Sequence, residues 1–180
     1  MRRRRPRGSS RGTFPQMLWV FVIFVVIVVV GVFSLSGMGS TSRNSSAVEF
    51  ALNDFSGESI HLSDYRGKPV LVNLWASWCP PCRAEMPDLI KFYNAHQAEG
   101  LVFLAVNSED DASAARKFVS EKQMTFPVLY DPGGTVSRIM GSNGLPDTYL
   151  IDPSGSLRFS WTGQISPVIL DARVLPLLTQ

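Results

Sequence analysis

Two cysteines separated by two prolines are the residues of this chain with the clearest redox chemistry. The segment Cys79-Pro80-Pro81-Cys82 holds both cysteines of the 180 residues, so a disulfide-rich framework is excluded. Thiols at this spacing can exchange with a disulfide, because one sulfur attacks the substrate and the other resolves the mixed disulfide. We assign Cys79 as the exposed nucleophile and Cys82 as the resolving thiol.

The sequence around the dithiol predicts that Cys79 ends a buried strand segment and begins a helix. Residues 70–75 form an apolar, β-rich run that is typical of a strand covered on both faces. Pro80 and Pro81 fit the first turn of a helix, where a missing N–H costs little. A helix N-terminus lowers a thiol pKa. The two prolines remove two N–H donors there, which limits thiolate stabilisation and favours a reducing couple.

Three other interpretations of the dithiol stay open at this point. A structural zinc site needs four ligands, and besides the two cysteines the chain has only His61 and His96, so we predict no metal. A structural disulfide closing so short a loop would stabilise the fold by only roughly 2 kcal/mol. The thiols could also be free and buried. A dithiol after a strand, at the start of a helix in an exported domain, favours redox chemistry.

The N-terminal region predicts a membrane anchor. Residues 1–43 hold seven arginines and no acidic residue, whereas residues 44–180 hold ten basic and fifteen acidic residues, a net charge of −5. Residues 17–35 are almost wholly apolar and long enough to cross a bilayer as a helix. The arginines could instead form a nucleic-acid arm, but arginines flanking a span mark its cytoplasmic side. We therefore predict no nucleic-acid partner.

This pattern predicts four regions and one orientation. They are a basic cytoplasmic tail (1–16), a transmembrane helix (17–35), a polar linker (36–47) and an extracytoplasmic domain (48–180). The protein would then be a single-pass protein of the cell membrane, with its C-terminal domain on the periplasmic side.

Hydrophobic patterning predicts an α/β sandwich with a mixed sheet, because strands and helices alternate and a hairpin follows them. Strands are predicted at residues 48–52, 59–62, 70–75, 101–106, 127–130, 148–151 and 157–161. Helices are predicted from the dithiol to about residue 100, and at 110–122, 136–140 and 168–178.

The segment from Trp75 to Pro87, WASWCPPCRAEMP, resembles the active-site segment of the thioredoxin superfamily. More narrowly, residues 48–180 resemble the membrane-anchored TlpA/ResA/DsbE-type reductases of cytochrome c maturation. The leading hairpin at 50–68 and the segment GLPDTYLID at 144–152 carry the same resemblance. It implies a thioredoxin-like fold with an N-terminal hairpin and a helical insert at 108–126.

The resemblance also assigns roles to single residues. Pro146 matches the cis-proline that faces the dithiol and aims the backbone of Leu145 at a substrate strand. Glu85 matches an acidic residue that moves protons for Cys82, although from the sequence alone it would be a solvated first-turn glutamate. Further expected positions are a substrate groove at Trp78, Pro80, Pro81 and Leu145, an amide (Asn73) in place of the usual buried aspartate, and an unusual charge beside the groove at Asp147.

The expected activity is thiol–disulfide oxidoreduction without a cofactor other than the dithiol. The resemblance implies protein disulfides as substrates, apocytochrome c first, and a membrane electron donor that regenerates the dithiol. A general exchange protein or a peroxiredoxin-type peroxidase is the alternative enzyme, although a distant resolving cysteine is absent. An anchored assembly module with an incidental dithiol is the non-enzymatic alternative.

Overall fold

The central sheet of the molecule is built around the apolar run before the dithiol. The computed structural model describes residues 23–25 and 47–178 of the chain. In it, β3 (Val70–Trp75) is buried at all six positions, as its sequence predicts. The strand pairs in parallel with β4 (Val102–Ser108) on one side and antiparallel with β6 (Asp147–Ile151) on the other.

Two further strands form the edges of the sheet: β5 (Val128–Asp131) is parallel to β4, and β7 (Leu157–Thr162) is antiparallel to β6. The mixed sheet has the order β5-β4-β3-β6-β7. A separate antiparallel hairpin joins β1 (Ala51–Asn53) to β2 (Ser59–His61). The predicted mixed sheet and leading hairpin are therefore confirmed.

Helices cover both faces of this sheet. One face packs against α1 (Pro80–His96), α2 (Ala112–Glu121) and the C-terminal helical segment (167–177). The other face packs against the hairpin, a 3-10 turn at Leu62–Tyr65 and α3 (Thr135–Met140). Two apolar cores therefore lie on opposite sides of the sheet, and helix α2 lies within the predicted insert at 108–126.

Several predicted boundaries were wrong, among them those of the first strand, which was predicted at 48–52 and is Ala51–Asn53. Strand β4 runs to Ser108, two residues past the last apolar residue, because Asn107 and Ser108 continue the parallel pairing with β5. The predicted helix at 168–178 is broken into an α-turn (Pro167–Ile169), a π-turn (Leu170–Val174) and a 3-10 turn (Leu175–Leu177). Pro176 lacks the N–H that a continuing α-helix would need at that position.

The predicted anchor falls almost entirely outside the described residues, as do the predicted tail and nearly all of the linker. Residues 23–25 are helical. Over 23–25 and 47–178, no helix combines the length and apolar character needed to cross a bilayer.

Candidate active site

The dithiol lies at the junction between β3 and α1, where it is oxidised to a disulfide with a Cα–Cα distance of 5.3 Å. Cys79 is the N-cap of α1, and Pro80 and Pro81 fill the first helical positions. The Sγ of Cys79 accepts a hydrogen bond from the N–H of Cys82 at 3.3 Å. The prediction that Cys79 is exposed was wrong for this state. It is 3% exposed because its sulfur turns inward to Cys82, which is fully buried.

Glu85 is a buried carboxylate one helical turn after Cys82, and therefore on the same side of α1. Its side chain is fully buried. One oxygen accepts from Asn73 Nδ2 at 2.8 Å and the other from the N–H of Ile165 at 2.7 Å. Desolvation raises the pKa of Glu85 to about 7, helped by the charge of Asp147 and opposed by the two hydrogen bonds. The interpretation of Glu85 as solvated is therefore wrong.

Asn73 connects Glu85 to the central sheet. Its Nδ2 donates to Glu85 and also to Thr148 Oγ1 at 3.1 Å, across the β3–β6 pairing. An amide cannot take up a proton from a thiol, so Asn73 orients the carboxylate rather than acting as an acid or base. Glu85 is the titratable group of this buried network near neutral pH.

Pro146 lies at the same end of the sheet as the dithiol. The Leu145–Pro146 peptide bond is cis. Pro146 immediately precedes β6, whose first residue pairs with Leu74 near the end of β3. The chain beyond β3 leads directly to Cys79, so the register brings the proline loop beside the junction that carries the disulfide. Leu145 is partly buried and contacts both apolar cores.

Trp78 is a large aromatic side chain at the surface, next to Cys79 in the chain. It is 60% exposed, and its indole N–H donates to the carbonyl oxygen of Glu109 at 3.1 Å. Pro80 is exposed and Pro81 is half-buried. The residues predicted to line a substrate groove therefore all keep some solvent-accessible surface near the buried disulfide.

Comparisons with known proteins agree with this geometry. Residues 44–160 match the model of the AhpC/TSA family. The thiol-disulfide oxidoreductase ResA of Geobacillus thermodenitrificans is 38% identical over 122 residues, which cover 68% of this chain and 70% of the relative. The chain belongs to the AhpC/TSA family.

Solved structures give this AhpC/TSA protein a thioredoxin-like fold. A Chlorobium tepidum protein, provisionally assigned as the thiol:disulfide interchange protein DsbE, superposes with a TM-score of 0.68 at 33% identity and covers 73% of this chain and 94% of its own. A secreted thiol-disulfide isomerase from Corynebacterium glutamicum gives 0.68 at 26% identity, covering 74% and 86%. With its dithiol at the active-site spacing, the protein is a thiol–disulfide oxidoreductase of the ResA and DsbE type.

Asp147, which was expected to put a charge beside the substrate groove, is buried in the oxidoreductase. It lies two residues after Leu145, begins a strand flanked by β3 and β7, and is 2% exposed. One carboxylate oxygen accepts from Tyr149 Oη at 3.0 Å, and the other has no hydrogen-bond partner among the described residues. Desolvation, with the charge of Asp147, raises the pKa of Tyr149 to about 12.

The sequence interpretation missed two groups that contact the dithiol region. One is the N–H of Ile165, which binds Glu85, and no side-chain pattern could reveal a backbone donor. The other is Asp110, whose carboxylate binds Ser77 in the turn before Cys79. Its only signal was its position in an acidic run directly after a strand. No three metal-binding side chains cluster together within the part of the chain that the structure describes.

Proposed function

We propose that this oxidoreductase is an extracytoplasmic reductase of protein disulfides. The observation that carries the direction is the N-terminus of α1, where Cys79 Sγ accepts the N–H of Cys82. Pro80 and Pro81 have no N–H to offer at the two preceding positions. A thiolate with few donors is less stable, which shifts the couple toward the disulfide and makes the dithiol a better electron donor.

The residues around the disulfide support a two-step exchange. The thiolate of Cys79 attacks one sulfur of the substrate disulfide, so that a mixed disulfide forms and the first substrate thiolate leaves. Glu85 then takes the proton of Cys82, and the Cys82 thiolate attacks Cys79 Sγ. The mixed disulfide breaks, the Cys79–Cys82 disulfide forms, and the second substrate thiolate leaves. Two electrons pass to the substrate, with no metal or organic cofactor.

Apocytochrome c, through the disulfide form of its CxxCH haem-attachment site, is the proposed substrate. The sequence resemblance to reductases of cytochrome c maturation supports this choice, and the similarity to ResA and to the DsbE-like protein supports a protein disulfide as the substrate. A dithiol donor in the membrane is proposed to reduce the Cys79–Cys82 disulfide after each turnover. In that exchange the donor dithiol is oxidised to a disulfide and passes two electrons to the Cys79–Cys82 disulfide.

A location outside the cytoplasm is proposed from the N-terminal sequence. The apolar residues 17–35 would anchor the chain, and the preceding arginines would hold its N-terminus in the cytoplasm. The secreted isomerase of Corynebacterium glutamicum supports an exported oxidoreductase domain of this fold.

The direction of exchange is tested with the full-length chain in detergent and a CxxCH peptide. Reduced protein is mixed with the oxidised peptide, and oxidised protein with the reduced peptide, until both mixtures reach equilibrium. We expect both mixtures to end with the peptide reduced and the protein oxidised. Equilibrium with the peptide oxidised would show an oxidant instead. The Cys79→Ser variant is the control for exchange, and a CxxCA peptide reports whether the histidine affects the position of the equilibrium.

A further inference from the structure

The turn between β3 and α1 is held by side chains from a different part of the chain. Ser77 lies two residues before Cys79, and all of its polar groups are bound. Its N–H donates to Asp110 Oδ2 at 2.6 Å and its hydroxyl to Asp110 Oδ1 at 2.9 Å. Its carbonyl oxygen accepts from the guanidinium of Arg83 at 3.2 Å. The orientation of the chain that leads into the nucleophile therefore depends on these contacts.

The carboxylate of Asp110 accepts four hydrogen bonds. Besides the two from Ser77, Asn107 Nδ2 donates to Oδ2 at 2.8 Å and the N–H of Asp111 donates to Oδ1 at 2.8 Å. Every partner is a donor, so only a group with two acceptor oxygens can bind all four. An amide at this position would turn an NH2 group toward at least one donor, which is why a carboxylate is required.

The backbone that carries Asp110 is itself fixed. Asn107 pairs with Trp75 in the β3–β4 ladder, which holds the ends of the two strands side by side. The hydroxyl of Tyr130 on β5 donates to the carbonyl oxygen of Asp110 at 3.1 Å. The position of the carboxylate is therefore set by the sheet and does not depend on a free loop.

A second contact joins the same loop to Trp78. Glu109 adopts a left-handed backbone conformation (φ 53°), which is uncommon for a residue with a side chain. Its N–H donates to Asp131 O at 3.0 Å, and its carbonyl oxygen accepts the indole N–H of Trp78. The loop after β4 therefore holds both residues that precede Cys79.

We propose that Asp110 is a positioning residue for thiol–disulfide exchange, acting through Ser77 on the orientation of Cys79. Attack on a disulfide needs the sulfur nucleophile in one geometry, and a turn that is already fixed loses less freedom in reaching it. The role applies to exchange in either direction, so it does not depend on the proposed reductase function.

The test compares two variants of the full-length chain that each lose one negative charge. Asp110→Asn places a donor among the four donors, whereas Asp111→Asn keeps an equally good N-cap for α2 and does not touch Ser77. Exchange of each reduced protein with an oxidised peptide is followed across a range of pH. We expect Asp110→Asn to react roughly tenfold more slowly than the wild type and Asp111→Asn to match it. Equal rates for the two variants would overturn the proposal.

A double-mutant cycle separates positioning from general loss of structure. Ser77→Ala removes one of the two bonds to Asp110, and Ser113→Ala on α2 is the matched control. If Asp110 acts through Ser77, the double variant that carries Asp110→Asn and Ser77→Ala should react only a little more slowly than Asp110→Asn alone. If the rate losses of the two single variants multiply in the double variant, the two residues act independently and the proposal is contradicted. If Asp110→Asn does not fold, Ser77→Ala decides: we expect slower exchange than for Ser113→Ala, and an equal rate would overturn the role.

The indole of Trp78 reports on the turn before Cys79, so its signal separates a local change there from a general loss of structure. The protein is labelled with 5-fluorotryptophan, and the signal of Trp78 is assigned with Trp78→Phe. We expect Asp110→Asn to shift and broaden this 19F signal while the signal of buried Trp75 stays in place. An unchanged Trp78 signal would contradict the proposal, because it would show that the turn keeps its conformation without the carboxylate.

Discussion

Glu85 is a fully buried carboxylate one helical turn after Cys82, and its burial sets its pKa. Burial makes the charged form unfavourable and raises its pKa to about 7, so both forms are populated at neutral pH. A carboxyl group in this state suits the proposed mechanism, in which it accepts a proton from Cys82 and returns it within one catalytic cycle. Two donors hold the carboxylate while it does so, Asn73 from the sheet and Ile165 from the segment after β7.

The raised pKa of Glu85 makes stability depend on pH. The folded chain binds this proton more tightly than the unfolded chain, so stability should fall as pH rises from the ordinary value of 4.5 to about 7. The loss is about 3 kcal/mol for a shift of this size. In Glu85→Gln that loss is absent. We therefore expect urea unfolding of the oxidised proteins to show the variant gaining on the wild type between about pH 5 and pH 8. A constant difference would contradict the shift.

Pro81 gives a test of the reducing direction. Pro81→Ala restores an N–H at the second position of α1, within reach of the N-cap sulfur. We expect the midpoint potential of the dithiol to rise by roughly 30 mV, because a hydrogen bond to a thiolate stabilises the reduced form by about 1.4 kcal/mol. Pro87→Ala, inside the same helix, is the control. A potential equal to that of the control would remove the support drawn from the prolines.

The position of the dithiol between a strand and a helix was predictable from residue types and spacing, whereas the burial of the carboxylates was not. The local sequence of Glu85 predicts a solvated side chain. In the structure Glu85 instead lies on the buried side of α1, between Cys82 and Leu89. Asp147 is polar but begins a central strand, and only the register of β6 shows that it is covered. Burial of a polar side chain depends on distant elements, which a local pattern does not contain.

At the scale of elements, the predictions were most accurate where a segment is apolar along its whole length and is therefore buried on both faces. Strand β3 is apolar along its length and was found at the predicted residues. The C-terminal segment was predicted as one helix limited at its end by Pro176, but it consists of three short turns of different type. A continuously apolar strand can therefore be located from sequence, whereas a change of helix type within an apolar segment cannot.

Helix α2 begins at a cap that can be tested alone. The carboxylate of Asp111 accepts from the N–H groups of Ser113 and Ala114 at 3.0 and 2.9 Å. Removing it in Asp111→Ala leaves these donors without that partner, so we expect a loss of about 1 kcal/mol in unfolding free energy. Asp111→Asn should keep the unfolding free energy of the wild type, because asparagine is an equally good N-cap. Equal stability of the alanine variant and the wild type, by denaturant titration, would show that the cap contributes nothing.

At the scale of the whole molecule, the charge is divided between a basic N-terminus and an acidic domain. This division underlies the proposed orientation, and the chain offers a direct test because its only cysteines lie in the dithiol. After mild reduction, intact cells are treated with a maleimide that cannot cross the membrane. We expect labelling of the protein without permeabilisation. Labelling only after the cells are opened would place the domain in the cytoplasm.

The identity of the attacking sulfur is the claim on which the whole account depends. The full-length variants Cys82→Ser and Cys79→Ser are each mixed with an oxidised CxxCH peptide. The reactions are quenched with acid, and the masses of the intact products are measured by mass spectrometry. The account predicts a stable mixed disulfide on Cys79 in Cys82→Ser and almost none in Cys79→Ser. A mixed disulfide that accumulates on Cys82 instead, or on neither variant, would contradict it.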